Sequence, residues 1–316
     1  MYTYSWYHWI TFFYLYCFFG WIFESAYVSL RQKRFVNRGF LRLPLLPLYG
    51  TGAVMMLWVS LPVKNNLVLV YLSGFFAATV LEYVTGWAME QLFKMRYWDY
   101  SDQRFQINGY VCLSSSIAWG FLTILMTEIL HKPVERLVLG MRPAVEFSFL
   151  AVVSVPFVLD AIQSVRAALD LGRALEAMTK AKAELEDLQV QIALLRAEAS
   201  DRAANFRGDV RDWAGELRTD AKVWASDLRE TALERASAIR EEAVTFREEI
   251  REQIAPADGP ELTALLKRLD ALKEKHLHLS RHMGFYRKGL LRGNPSANSR
   301  RFSEALKELK HRLENE

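Results

Sequence analysis

Three glutamates stand where an apolar helix has least use for them: Glu24, Glu82 and Glu90. Each lies in or at the end of a run crowded with Trp, Phe, Tyr and Leu. An acid inside hydrocarbon is costly unless it faces a bundle interior, a cation or a pathway. Glu82, Gly86 and Glu90 are four residues apart, so they share one helical face with a glycine between two acids. Gly20 and Glu24 in "GWIFE" have the same spacing as Gly86 and Glu90 in "GWAME". A carboxylate near a helix C-terminus meets the negative end of the dipole and wants a cation or a proton. Arg38, Arg42 and Arg96 are the nearest basic residues in the sequence. Two readings are open. In one, Glu24, Glu82 and Glu90 form a substrate or proton site with Asn37, Arg38 and Asn108 at its cytoplasmic rim. In the other, loop arginines satisfy the acids and hold helix pairs together. The second suits Glu24 and Glu90, and the first suits Glu82, which lies well inside its run. "RYWDYS", with Asp99, reads as an aromatic interface belt with a turn, or as the mouth of a pocket. Glu128 and Glu146 are expected at the interface, and Asp160 as a charge leaving its helix.

The elements that must position these acids are apolar helices. The 316 residues are 51% hydrophobic with a net charge of +4, but the average hides a change near residue 163. Before it the chain is apolar and aromatic; beyond it charges recur every third or fourth residue. A bilayer core takes about 20 apolar residues as helix. Tyr4–Leu30, Leu45–Leu61, Asn66–Phe93, Val111–Leu130 and Pro143–Ile162 qualify or nearly do. Five such runs in one soluble domain would leave too little polar surface to cover it. The first run has no basic region before it and ends in "RQKR", so it reads as a retained helix and not as a cleaved leader. Pro44 and Pro47 open the second run, where a missing N–H is no loss. The slightly basic balance comes from loops and tail and does not indicate nucleic acid. Cys17 and Cys112 are the only cysteines, too few for a disulfide framework, and no cofactor motif or catalytic metal spacing occurs.

Arg31, Lys33, Arg34, Arg38 and Arg42 separate the first two runs, and Lys94, Arg96 and Arg104 separate the third and fourth. The loop "PVKNN" has one lysine. The positive-inside rule then puts the N-terminus outside and the tail in the cytoplasm. The stretch "HKPVERLVLGMR", read as an outer loop, runs mildly against the rule with Lys132, Arg136 and Arg142.

The two acid-bearing runs also look duplicated. With Gly39 set on Gly109, "NRGFLRLPLLPLYG" faces "INGYVCLSSSIAWG", matching Gly-aromatic, Leu43 with Leu113, and aromatic-Gly at Gly50 and Gly120. The later part is offset by 70 residues and the Gly-Trp-x-x-Glu part by 66. Gly20, Gly86, Gly50 and Gly120 are expected to let helices approach closely. The fold class is therefore all-α: a polytopic membrane bundle of about five helices, a 2+2 repeat plus one, with a long cytoplasmic coiled-coil tail.

The strings "GWIFE", "NRGFL…PLYG", "LEYVTGWAMEQLF…RYWDYS" and "NGYVCLSSSIAWG" resemble the bacterial family described as putative ABC-transporter type IV, and "NPSANSRRFSEALKELKHRL" resembles its C-terminal end. The likeness covers most of residues 8–170 and roughly the last thirty, with Leu43-Pro44 a small departure at the second helix opening. It implies a permease-like protein of the cytoplasmic membrane. No GxxxxGK[ST] phosphate cradle occurs, so any ATPase would be a separate chain.

In the tail, apolar residues from Leu171 to Ala199 follow a heptad seam, and Phe206, Leu217, Leu228, Ile239 and Ile250 then recur every eleven residues, each followed by arginine. These periods suit a coiled coil that turns straight or right-handed. It would reach on the order of 130 Å if helical from 165 to 254. Stretch 171–254 is thus expected to bind a partner helix or a second copy, or, with Trp213 and Trp224, a membrane surface. "APADGP" should end it, and Leu262–Leu279 could fold back. His278 and His282 lack a third ligand for zinc. The leading function is a transport subunit embedded in the lipid bilayer. The alternatives are a membrane enzyme acting on a lipid or isoprenoid, and a scaffold anchoring a long coil.

Overall fold

The computed structural model describes residues 4–226, 260–281 and 283–315. Five helical stretches make up its apolar part: α1 (Trp6–Gln32), α2 (Pro47–Ser60), α3 (Leu67–Phe93), α4 (Leu113–Leu125) with α5 (His131–Leu139), and the start of α6 (Pro143–Ser226). Three described segments are long and apolar enough to cross a membrane: Leu67–Phe93, Leu113–Leu139 and Pro143–Glu216. α2 with its following 3-10 turn is shorter, at Pro47–Val63. Pro47 opens α2 and Pro44 lies in the turn before it. Asn66 starts α3, its side chain accepting from Val68 N at 3.0 Å and Leu69 N at 3.3 Å, as an N-cap should. α1 and α3 both end on a lysine in the left-handed region, Lys33 and Lys94. A two-residue hairpin, β1 (Gln106–Ile107) with β2 (Val111–Cys112), sits in the loop before α4.

The expected outer loop at 131–142 is helical instead. A π turn at Met126–Leu130 joins α4 to α5. Val138 is fully buried there in one cluster with Phe12, Tyr16 and Leu57. Apolar residues one turn apart draw the stretch onto the bundle, and Pro133 falls in its first turn, where proline is tolerated.

α1 packs on α2, α2 on α3, and α3 on α4. All four glycines singled out above mark close approaches, Gly50 and Gly120 among them. A Cβ on Gly50 would overlap Cys17 Sγ and lie 2.6 Å from Phe13 O, and one on Gly120 would lie 2.5 Å from the Tyr71 ring.

The chain forms two compact units, Met1–Thr179 with Leu279–Glu316, and Lys180–His278. The first contains α8 (Phe285–Gly293) and α9 (Ser303–Glu314). Leu290, Leu291, Phe302, Leu306 and Leu309 of this C-terminal part share one core with Leu171, Leu175 and Met178 of α6 and with Phe93, Met95 and Tyr97 after α3. In the second unit, Leu188 and Ile192 pack against Leu262, Leu269 and Leu272 of α7 (Pro260–Arg281). The heptad seam is therefore covered by the chain's own segments on both stretches. Leu228, Ile239, Ile250 and residues 255–259 of the "APADGP" break lie outside the described residues, and Pro260 opens α7.

Candidate functional site

α3 turns Glu82 inward, leaving it 7% exposed. Its Oε1 accepts from the Tyr100 hydroxyl at 3.0 Å, and its Oε2 from Trp119 Nε1 at 2.9 Å and Ser115 Oγ at 3.3 Å. The donors come from the loop after α3 and from α4, so the carboxylate is enclosed by its own helix pair. Among the described residues no lysine or arginine pairs with it. A buried acid held only by neutral donors is poised to take a proton or a cationic group.

Glu24 and Glu90 have different surroundings. Glu24 accepts from the Tyr49 hydroxyl at 2.7 Å and stands 3.6 Å from Arg38 Nε. Glu90 Oε2 accepts from Arg96 Nε and from the Tyr110 hydroxyl, both at 2.6 Å. Arg96 is 3% exposed, with its guanidinium 4.7 Å from the centre of the Tyr110 ring and 3.3 Å from Asp99. Burial works upward on the Asp99 carboxyl, but donation from Ser101 and Asn298 and the Arg96 charge hold it below the ordinary carboxylate range. Tyr100 bonds Glu82 and also feels the charge of Glu24 on the other helix pair. Burial first, then the Glu82 carboxylate and more weakly the Glu24 charge, push its phenol upward.

Asn37 accepts from Trp21 Nε1 at 2.6 Å and donates to Arg42 O at 2.8 Å, tying loop to helix. Asn108 is exposed and donates to the Tyr83 hydroxyl at 3.1 Å. A Cβ on Gly86 would come within 3.1 Å of Tyr110 and 3.2 Å of Trp98, and one on Gly20 would overlap Tyr49. These glycines leave room for the aromatic donors. Gly39 and Gly109 both have positive φ, 134° and 75°. The aromatic residue before Gly50 reaches Glu24, and the one before Gly120 reaches Glu82.

A C-terminal strap closes this end of the bundle. Asn294 Nδ2 donates to Gly39 O at 2.9 Å, and Arg38 donates back to Asn294 Oδ1 at 2.8 Å. Asn298 pairs its backbone with that of Arg96 at 2.8 and 2.9 Å and donates from its side chain to Asp99 at 3.1 Å. Arg300 donates to Ser101 Oγ at 2.8 Å and Asn108 O at 3.3 Å. One short segment thus holds the loops that follow both acid-bearing helices. Sequence reasoning missed it, along with Tyr49, Tyr100 and Trp119. The run of small polar residues in "NPSANS" was its only visible trace.

Two expectations need correction. Asp160 is buried and does not leave its helix as a solvated charge; it accepts from Arg42 N and Leu43 N at 2.9 Å each, anchoring the first loop to α6. Glu146 is 1% exposed and not interfacial, accepting from Thr11 Oγ1 at 2.7 Å with His8 Nε2 at 3.5 Å. Glu128 is exposed and pairs with Lys132. Toward the other end of α1, His131 is buried between the hydroxyls of Tyr4 (3.1 Å) and Tyr16 (2.9 Å).

No curated protein and no solved structure matches the chain. Residues 11–165, which hold every acid of the cluster, match the family model described as putative ABC-transporter type IV, so this part of the chain is similar to that family.

Proposed function

We propose that the chain is a multi-pass, permease-like subunit of an ABC-type transporter in the inner membrane, working with an ATPase on another polypeptide. Five segments cross the bilayer: α1, α2, α3, α4–α5 and the start of α6. The N-terminus lies outside, and the loops carrying Arg38 and Arg96 lie in the cytoplasm with the strap. The first four segments are two copies of one helix pair, a build in which transport sites fall at the repeat interface. The single observation that carries this reading is Glu82: buried, held by three neutral donors and, among the described residues, paired with no cation. The Glu24–Arg38 and Glu90–Arg96 pairs brace its cytoplasmic side.

The full chain, purified from native membranes in mild detergent, is expected to bring with it a chain carrying a phosphate-binding loop. ATP-driven accumulation in inverted vesicles should vanish in Glu82→Gln. Purification without any ATPase, or transport untouched by Glu82→Gln, overturns the assignment.

A further inference from the structure

Outside the apolar helices, three phenylalanines are strongly exposed among the described residues: Phe35 (78%), Phe105 (79%) and Phe285 (68%). They come from three separate parts of the sequence, and each has an arginine beside it. Phe35 follows Arg34, Phe105 follows Arg104, and the Phe285 ring lies 4.4 Å from the Arg42 guanidinium carbon. Arg34 and Arg104 are exposed, and Arg42 Nε is buried without a hydrogen-bond acceptor. Phe105 is held outward at φ 51°, a backbone region that bulky residues rarely enter. All three phenylalanines belong to one end of the bundle, because the strap ties the 37–42 loop to the 96–108 loop and α8 runs directly into it.

An aromatic ring at the bilayer surface beside a cation suits the headgroup boundary, where the ring sinks toward the acyl chains and the cation meets phosphate. A guanidinium whose Nε lacks an acceptor suits an anion with oxygens, and arginine suits phosphate. Asp160 accepts from the backbone N–H of Arg42, so a carboxylate stands close to this site. Asp102, also exposed, flanks Arg104. Their charge opposes a dianion more than a monoanion, which selects a phosphodiester over free inorganic phosphate. We propose that this rim is a binding site for anionic phospholipid, with Arg42 on Phe285 taking the headgroup phosphodiester and Arg34–Phe35 and Arg104–Phe105 anchoring the neighbouring lipids. The proposal rests on the membrane reading above and adds a lipid class to it.

The test is full-length protein in phosphatidylcholine vesicles containing spin-labelled phosphatidylglycerol or spin-labelled phosphatidylcholine, read as the motionally restricted fraction of each. The expected result is a preference for phosphatidylglycerol that falls by about fivefold for each arginine lost in Arg42→Gln and Arg104→Gln. Phe105→Ser with Phe285→Ser, which leaves every charge in place, should also reduce it. Millimolar inorganic phosphate should leave it unchanged; competition by phosphate would assign the site to the free anion and overturn the lipid proposal. Equal restriction of the two lipids, or a preference indifferent to all these variants, also overturns it and gives the rim to a protein partner. Failure of the chain to enter vesicles at all would instead sink the membrane reading.

Discussion

Replacing Glu82 by alanine strands its donors unequally, which gives a test sharper than loss of activity. Ser115 Oγ keeps a second acceptor, Cys112 O at 2.9 Å. The Tyr100 hydroxyl and Trp119 Nε1 do not, and an indole N–H can only donate. A buried donor without an acceptor costs about 1–3 kcal/mol, so Glu82→Ala should lose about 2–6 kcal/mol from these two groups. Glu82→Gln should lose only about 1 kcal/mol, since its oxygen still serves Trp119 and Tyr100 can turn its hydroxyl to accept from the amide. Because Trp119 Nε1 donates to Glu82, Trp119→Phe should be costly in the native chain but nearly neutral on Glu82→Ala. That is a coupling of about 1–3 kcal/mol in a double-mutant cycle. Unfolding by SDS in mixed micelles, followed by far-UV circular dichroism, measures all four corners. Additivity within about 0.5 kcal/mol would refute the enclosure of Glu82 by Trp119.

Gly74→Ala should cost about 1–3 kcal/mol by overpacking, because the new Cβ would overlap Thr123 across the α3–α4 contact. Gly208→Ala, where nothing lies within 4 Å, should instead gain about 0.5–1 kcal/mol, and the same unfolding assay compares them. Leu309 is 1% exposed in the core that seats the C-terminal helices. Leu309→Ala should cost about 2–5 kcal/mol and make residues 283–315 sensitive to protease before the rest. Asp99 titrates below its unfolded value, so its contribution to strap docking is complete above about pH 4 and is lost as pH falls through the depressed folded value. Protease protection of the strap should follow that curve in the native chain, and Asp99→Asn should flatten it.

The apolar runs were legible because a period of 3.6 residues and a length near 20 leave few other solutions. Loop arginines placed beside Glu24 and Glu90 followed from the helix dipole and the short loops. The α5 segment was not legible: Lys132, Glu135 and Arg136 made it look like a loop, while its stability comes from Val138 meeting Phe12 across more than a hundred residues. Asp160 and Glu146 were misjudged for a related reason. Both lie near an end of an apolar run, where solvent is the default neighbour, and only packing puts Thr11 and the Arg42 backbone beside them.

By itself the sequence determined most of the helical segments, which of them are apolar enough to sit in lipid, and that Glu82 stands deep within one of them. Those properties are set by each residue and its neighbours three or four positions away. Tertiary structure alone decided that Glu82 is met by Trp119, Ser115 and Tyr100, and that residues 294–300 hold the loops that follow both acid-bearing helices. Such contacts depend on which helix faces meet and on a hydrogen-bonded strap returning from nearly two hundred residues away, and no local pattern records a partner at that distance.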